Sequence, residues 1–167
     1  MKKEYKKLVV AFSGPSNSGK TTLIVKISNI LQDKGFKVCI IKHDPKDKAI
    51  FDKPGKDSFK FSETKADVAV VSSKRTTIFK QNTSSIDELI SLFGDFDYLL
   101  VEGLKTLDLP RISIFRNRLD ESYFQVTNAI THDETISSHE IPNSIDKLDL
   151  NDPENIILWI EKNAKRV

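Results

Sequence analysis

Apolar residues occur along the chain in short continuous runs. These runs alternate with stretches in which apolar residues recur at the spacing of a helix. Residues 8–12 form a run rich in β-forming side chains, which is typical of a buried parallel strand. Residues 22–31 repeat their apolar positions at the spacing of an amphipathic helix, and Gly35 is a helix-ending signal. Residues 36–41 predict a second strand. A strand, a helix and a strand joined by a short return form a βαβ unit, so the two strands are expected to be parallel.

The rest of the chain continues this alternation. The further predicted strands are residues 67–72 (buried), 76–80 (at an edge), 97–102, 111–116 and 124–130, the last of the sheet. The further predicted helices are residues 58–66, a segment from Ser84 or Ser85 to Phe93, and a final amphipathic helix that Asp152 caps and Pro153 opens. Residues 134–150 are expected to form a loop.

A phosphate-binding motif lies between the first predicted strand and the first predicted helix. Residues 14–21 match G-x-x-x-x-G-K-[ST], and the flanking strand and helix are the context that this motif requires. Gly14 and Gly19 permit backbone angles and a closeness to phosphate that a Cβ would obstruct. The amides from Ser16 onward can then point inward, at the positive end of the helix. Lys20 would reach the β- and γ-phosphates, and the Thr21 hydroxyl would bind Mg²⁺.

The elements and this motif together predict the fold class. We expect an α/β protein with a mostly parallel sheet of the P-loop NTPase type and helices on both faces. A length of 167 residues is most simply one domain, so residues 1–167 are expected to form a single nucleotide-binding domain.

An acid stands at the end of another buried strand. Residues 98–101 are apolar and deliver Glu102 to the strand's carboxyl end, which is the arrangement of a Walker B element. Asp97 lies at the start of the same strand, far from the expected phosphates. We therefore predict that Glu102 binds Mg²⁺ or orients a water, and that Lys20 and Glu102 are the catalytic residues.

Two further segments follow predicted strands, at the edge where open α/β sheets bind ligands. Residues 44–57 are irregular and include Gly55 with Lys53 and Lys56 close by on either side, so this loop is a candidate anion-binding segment. On composition alone a solvated surface loop fits equally well. Asp133 follows the strand predicted to be last and could accept hydrogen bonds from a guanine base, although acids at such positions also serve as caps.

Composition and charge exclude several classes of function. A formal net charge of +2 provides no strong field for nucleic acid or a membrane surface, so neither is an expected partner. The lysines at 2, 3, 6 and 7 are expected to form a solvated lead-in. Cys39 lies in an apolar run and is expected to be buried and reduced. With no signal-peptide core or transmembrane run, the expected location is cytoplasmic.

Four stretches together resemble a known family. They are the phosphate-binding loop, the strand ending Ile41-Lys42-His43, residues 52–58 (DKPGKDS) and residues 101–105 (VEGLK). The set is similar to the molybdopterin-guanine dinucleotide biosynthesis adaptor family, MobB. The DKPGKDS segment is much more specific than the phosphate-binding loop, and the similarity spans about residues 8–133.

The resemblance implies a GTP-binding homodimer with weak GTPase activity. Its partner would be the MobA-like guanylyltransferase that joins GMP to molybdopterin, and the resemblance leaves open whether molybdopterin itself binds. The phosphate-binding residues carried over by position are Gly14, Ser16, Asn17, Ser18, Gly19, Lys20, Thr21 and Thr22, with Thr21 and Glu102 on Mg²⁺. Residues 52–58, including Lys53 and Gly55, would line the nucleotide or pterin side. One departure is that residues 44–51 lack the family's further histidine after Lys-His.

Three other functions use the same motif. A small-molecule kinase using ATP would need an arginine-bearing lid, and the only arginine-dense stretch, residues 116–118, follows a strand. A nickel-type metallochaperone GTPase would need a cluster of Cys or His residues, which the sequence lacks. A partner-binding module that does not hydrolyse its nucleotide would differ from the GTP-binding adaptor only in the turnover of that nucleotide.

Overall fold

The structure, a computed structural model, describes residues 4–167, and these form two compact units. The first comprises the chain up to His43 together with Asp95–Val167, and the second is Asp44–Gly94. The expectation of a single nucleotide-binding domain stays a prediction. Lys2 and Lys3 lie outside the described residues.

The first unit is built on a mostly parallel sheet. Its strands are β1 (Leu8–Ser13), β2 (Val38–Lys42), β5 (Tyr98–Glu102), β6 (Arg111–Ile114), β7 (Ala129–His132), β8 (Asp146–Asp149) and β9 (Lys165–Arg166). The order is β2-β5-β1-β6-β7-β8, with all these neighbours parallel and β9 antiparallel to the start of β1. The predicted α/β class with a mostly parallel sheet is confirmed.

Two helices pack on one hydrophobic cluster of this sheet. Helix α1 is Lys20–Asp33 and helix α4 is Pro153–Asn163. Ile27 and Leu31 of α1 and Trp159 of α4 join the cluster with alternate residues of β1 such as Val10 and Phe12. The intervening residues of β1, Val9 and Ala11, are equally buried, which explains why this strand reads as a continuous apolar run.

The prediction for residues 124–150 was wrong in two places. The strand predicted at 124–130 begins only at Ala129, because Glu121–Val126 forms a 3-10 helix. Residues expected to form a loop contain a second 3-10 helix, Ser138–Glu140, and the strand β8, which pairs with β7. In β8 only Leu148 is buried, so its sequence lacks the apolar run of the central strands.

The second unit contains α2 (Asp57–Ser62), β3 (Val68–Val71), β4 (Thr76–Phe79) and α3 (Ile86–Phe93). Residues 67–72 contain the predicted strand, but the prediction that this strand is buried was wrong. Strands β3 and β4 form a separate antiparallel pair, and β3 is largely exposed. Helix α3 begins as predicted, with Ser85 and Glu88 forming a capping box.

The prediction that Lys6 is a solvated residue before the first strand was also wrong. Its ammonium donates to Glu161 Oε1 at 2.6 Å and to the Tyr98 hydroxyl at 2.8 Å, and it lies 4.3 Å from the centre of the Phe36 ring. Burial lowers the pKa of Lys6, but the hydrogen bonds to Glu161 and Tyr98 outweigh this and raise it. Burial and the bond to Glu161 raise the pKa of Tyr98 to about 12. This network ties the start of β1 to α4.

A helix that crosses a membrane would need about 20 largely apolar residues. None of the helices within residues 4–167 meets that length and apolarity.

We expect the Glu161 network to stabilise the fold mainly above acidic pH. Hydrogen bonds from Lys6 and Tyr98 lower the pKa of Glu161, so its contribution is complete above the unfolded pKa and disappears as pH falls through the folded pKa. Because the Glu161 side chain is 37% exposed, Glu161→Gln should cost about 1 kcal/mol at neutral pH. Urea unfolding of both proteins should show this difference shrinking towards about pH 3. A difference that does not change with pH would contradict the account.

Candidate nucleotide-binding site

The predicted phosphate-binding loop connects β1 directly to α1. Gly14 has φ 139°, and a Cβ placed on it would lie 2.4 Å from the carbonyl oxygen of Ile114, so only glycine fits. Asn17 (φ 63°) and Gly19 (φ 96°) also adopt left-handed backbone angles, which Asn tolerates better than most residues. Helix α1 starts immediately, with Leu23 N donating to Gly19 O at 2.9 Å. The loop therefore curls around the amino end of a helix.

Polar groups of this loop surround the helix start. The Lys20 ammonium lies within the loop and donates to the carbonyls of Gly14 (3.1 Å) and Pro15 (2.7 Å). Ser18 Oγ is buried without a hydrogen-bond partner among the described residues, whereas Ser16, Asn17, Thr21 and Thr22 are exposed. Gly19 offers the first turn of α1 no side-chain cap, so this turn presents its amides and dipole to an anion.

Glu102 lies beside this loop because of strand pairing. It ends β5, opposite Phe12 of β1 on one side and Lys42 of β2 on the other. The Glu102 carbonyl accepts from His43 N, and the next amide, Gly103 N, donates to Phe12 O, each at 2.9 Å. Burial lowers the pKa of Lys20, and the Glu102 carboxylate is near enough to oppose this shift. The structure thus brings the two predicted catalytic residues together.

The groups at this site suit a magnesium ion that is shared with phosphates. Mg²⁺ takes oxygen ligands and usually binds through one or two protein groups plus phosphates and waters. Thr21 offers a hydroxyl at the helix start and Glu102 a carboxylate. No group of three or more His, Cys, Asp or Glu residues that could hold a metal occurs within residues 4–167, so a site made only of such side chains is not built there.

A buried arginine fixes the loop that follows Glu102. Arg111 is fully buried, and its guanidinium donates to Ser13 Oγ (2.8 Å) and the carbonyls of Gly103 (2.8 Å), Leu104 (2.9 Å) and Leu107 (3.3 Å). Leu104 has φ 48°, a strained conformation for leucine that these bonds stabilise. Burial lowers the pKa of Arg111. Since Ser13 directly precedes Gly14, Arg111 connects the phosphate-binding loop to the Glu102 loop.

Arg116, which belongs to the arginine-dense stretch 116–118, is a neighbour of the phosphate-binding loop. Its guanidinium lies 3.6–3.8 Å from the position that a Cβ on Gly19 would occupy. Arg116 Nε is 3.4 Å from Asp133 Oδ2, and the other Asp133 oxygen accepts from the amide and hydroxyl of Thr135. The bonds from Thr135 and the charge of Arg116 lower the pKa of Asp133. Asp133 thus orients Arg116 over the loop.

The other predicted site residues lie in the second unit. Lys53 and Gly55 are exposed in the turn that precedes α2, and Gly55 has φ 88° with open space where a Cβ would be. Their role as ligands of a nucleotide stays a prediction.

The matching family model and the curated relatives carry the same family description. The sequence model of molybdopterin guanine dinucleotide synthesis protein B matches residues 9–136. The molybdopterin-guanine dinucleotide biosynthesis adapter protein of Escherichia coli K12 is 29% identical over 168 aligned positions, covering 92% of this chain and 94% of that protein. A putative adapter protein of the same description from Methanocaldococcus jannaschii is 30% identical over 116 positions, covering 66% of this chain. The chain spans about half (48%) of that relative's length.

Solved structures agree on the fold. A crystal structure of molybdopterin-guanine biosynthesis protein B superposes with a TM-score of 0.72 at 23% identity, covering 93% of this chain and 99% of the other. The hydrogenase maturation factor HypB of Archaeoglobus fulgidus gives a TM-score of 0.53 at 17% identity, covering 93% and 87% of the two chains. These identities are low, so the likeness concerns the fold.

Replacing Arg111 by Met should lower the free energy of unfolding by about 3 kcal/mol or more, because the buried Ser13 hydroxyl and three partly buried carbonyls lose their donor. Urea unfolding measures this loss. Arg118→Met is the matched control, since Arg118 is exposed and its replacement should change stability by no more than about 0.5 kcal/mol. Equal effects of the two substitutions would contradict the role of Arg111.

Proposed function

The chain belongs to the family of molybdopterin guanine dinucleotide synthesis protein B, and on this premise we propose that it is a GTP-binding adapter for the guanylyltransferase step of molybdopterin guanine dinucleotide synthesis. It binds GTP with Mg²⁺ and hydrolyses it slowly. Its partner is the enzyme that joins GMP to molybdopterin, and it works as a homodimer whose chains each form one nucleotide-binding domain. The observation on which this rests is that neighbouring strands β1 and β5 present the phosphate-binding loop and Glu102 side by side.

Phosphate binding is assigned to the loop between β1 and α1. The amides of Ser16, Asn17, Ser18 and Gly19 and the first turn of α1, with Thr21 and Thr22, donate to the β- and α-phosphates. Lys20 exchanges its two loop carbonyls for β- and γ-phosphate oxygens, which are stronger acceptors because they are charged.

The metal belongs on the Glu102 side of the loop. When bound, Mg²⁺ neutralises charge on the β- and γ-phosphates. Thr21 supplies a hydroxyl and Glu102 a carboxylate, directly or through a water. His43 N and Gly103 N fix the backbone on either side of the Glu102 carbonyl, so the carboxylate is presented from a rigid strand end.

Strand order gives the direction of the nucleotide. Glu102 ends β5 on one side of β1, whereas Arg116 and Asp133 follow β6 and β7 on the other side. With the γ-phosphate towards Glu102, the nucleoside extends over Arg116 towards the ends of β7 and β8, where a cavity of about 450 Å³ is lined in part by Asp133, Lys147 and Asp149. A guanine in this cavity would contact the carboxylates of Asp133 and Asp149, which accept hydrogen bonds, and the ammonium of Lys147, which donates. We assign Asp133 to accept from the N–H groups of the guanine.

The position of Arg116 accounts for slow hydrolysis. An arginine that accelerates phosphoryl transfer neutralises charge at the γ-phosphate, a contribution of about 10³–10⁵ in rate. Arg116 is held by Asp133 on the opposite side of β1 from Glu102. It is therefore placed to bind the α-phosphate end and not the transferring group.

Lys20→Ala tests the phosphate site. We expect GTP affinity to fall by about a hundredfold or more, since a charge-assisted contact to two phosphates is lost, while the circular dichroism spectrum stays unchanged. Isothermal titration with Mg-GTP and Mg-ATP measures both affinities. Lys26→Ala, on an exposed face of the same helix, should bind like wild type. Unchanged affinity in Lys20→Ala would remove Lys20 from this role, and tighter binding of ATP than of GTP would contradict the guanine assignment.

Glu102→Gln tests the metal site. The amide keeps the shape of the side chain but loses the charge, so the Mg²⁺ concentration needed for half-maximal GTP binding should rise about tenfold or more. GTP affinity in EDTA should stay as in wild type. Glu121→Gln, at an exposed acid, is the control. A wild-type Mg²⁺ response in Glu102→Gln would assign the metal to another acid.

A further inference from the structure

Lys42 is a second lysine at the edge of the sheet where the phosphate-binding loop lies. It ends β2, and the strand register pairs it with Glu102 of β5, which in turn pairs with Phe12 of β1. These three residues form one row across the carboxyl ends of three neighbouring parallel strands. The phosphate-binding loop starts at Gly14, two positions after Phe12.

The alternation of side chains places this row on the face of the sheet that carries α1. Residues two apart on a strand point to the same face. Alternate residues of β1 and β5, up to Phe12 and Leu100, belong to the hydrophobic cluster to which α1 contributes. Glu102 follows Leu100 on this face, and Lys42 shares the face because it pairs with Glu102. Since Lys20 is the first residue of α1, both lysines and the acid lie at one edge on one face.

Backbone contacts hold the ends of β2 and β5 together. The amide of His43 donates to the Glu102 carbonyl at 2.9 Å. Gly103 has φ 91°, and a Cβ placed on it would lie 2.9 Å from the His43 Cβ, so the two strand ends approach each other closely. Lys42 is therefore presented from a fixed backbone position, as Glu102 is.

The charge of Lys42 has no partner in the described part of the chain. Lys42 is exposed, and neither its ammonium nor the Glu102 carboxylate makes a hydrogen bond or an ion pair within residues 4–167. Burial lowers the pKa of Lys20, the Glu102 carboxylate opposes this shift, and the charge of Lys42 adds to it. Two ammonium groups that repel each other in this way are stabilised by an anion that contacts both.

We propose that Lys42 binds the terminal phosphate of a nucleoside triphosphate and makes the site discriminate triphosphates from diphosphates. This assignment rests on the proposed function, which places the γ-phosphate towards Glu102, on the side of β1 where β2 lies. Neighbouring strands are about 4.8 Å apart, and the flexible stem of Lys42 extends its three donors across β5 to the phosphate. The loop amides hold the α- and β-phosphates, so this contact adds affinity only when a γ-phosphate is present.

The ratio of triphosphate to diphosphate affinity tests this assignment. Isothermal titration of the full chain with a slowly hydrolysed GTP analogue and with GDP, each with Mg²⁺ and in EDTA, measures that ratio. In Lys42→Met we expect the affinity for the GTP analogue to fall at least about tenfold, and the affinity for GDP to stay within about twofold of wild type. The loss should persist in EDTA, because Lys42 contacts the phosphate and not the metal.

Two further variants separate the charge of Lys42 from its place in the strand. Lys42→Arg keeps the positive charge and should keep most of the preference for the triphosphate. Lys37→Met removes an exposed lysine just before the other end of β2, and it should bind both nucleotides like wild type. Because Lys42 is exposed and has no partner to lose, Lys42→Met should keep the unfolding midpoint of wild type.

The assignment is overturned if Lys42→Met binds the GTP analogue and GDP as wild type does, because Lys42 is then a solvated surface residue. It is also overturned if both affinities fall equally, or if the loss disappears in EDTA, because Lys42 then acts on the shared phosphates or on the metal. In these cases nucleotide binding by wild type leaves the proposed function in place. If wild type binds neither nucleotide, the proposed function fails and this assignment fails with it.

Discussion

The candidate site depends on the parallel pairing of β1 with β5. Because the register places Phe12 opposite Glu102, the residue two positions before Gly14 is tied to the acid that is proposed to bind the metal. The amide of Gly103 extends this pairing by donating to Phe12 O. A shift of one residue in register would turn the carboxylate to the other face of the sheet. The complete burial of Val9 to Phe12 and of Leu99 to Val101 opposes such a shift.

Arg111 extends this constraint from the strands to the loops at their ends. Among residues 4–167 no carboxylate pairs with the fully buried Arg111 guanidinium, which is unusual, and backbone carbonyls and one hydroxyl supply its acceptors. Burial lowers the pKa of Arg111, and its hydrogen bonds to the Ser13 hydroxyl and to the carbonyls of the loop after Glu102 compensate for the lost contact with water. Arg111 is thus a positioning residue: it acts on the phosphate-binding loop through Ser13 and on the Glu102 loop through Gly103 and Leu104.

The sequence was sufficient for the parts of the fold that rest on local signals. The glycines and Lys20 of the phosphate-binding loop, the burial of β1 and β5, and the capping of α3 and α4 are each encoded within a few residues. Strand β8 was missed because a strand with only Leu148 buried is recognised by its pairing with β7, a contact distant in sequence. The burial of residues 67–72 was predicted wrongly, because a run of Val and Ala is compatible with both a buried strand and an exposed hairpin. The approach of the Arg116 guanidinium to Gly19 is a tertiary feature, and no motif marks it.

The most direct test of the nucleotide site is a crystal structure with Mg²⁺ and a slowly hydrolysed GTP analogue. We expect phosphates within hydrogen-bond distance of the amides between Gly14 and Thr21. We also expect a metal ion bound by the Thr21 hydroxyl, with the Glu102 carboxylate on the ion directly or through one water. Phosphates at another edge of the sheet, or a metal shell that excludes Glu102, would contradict it.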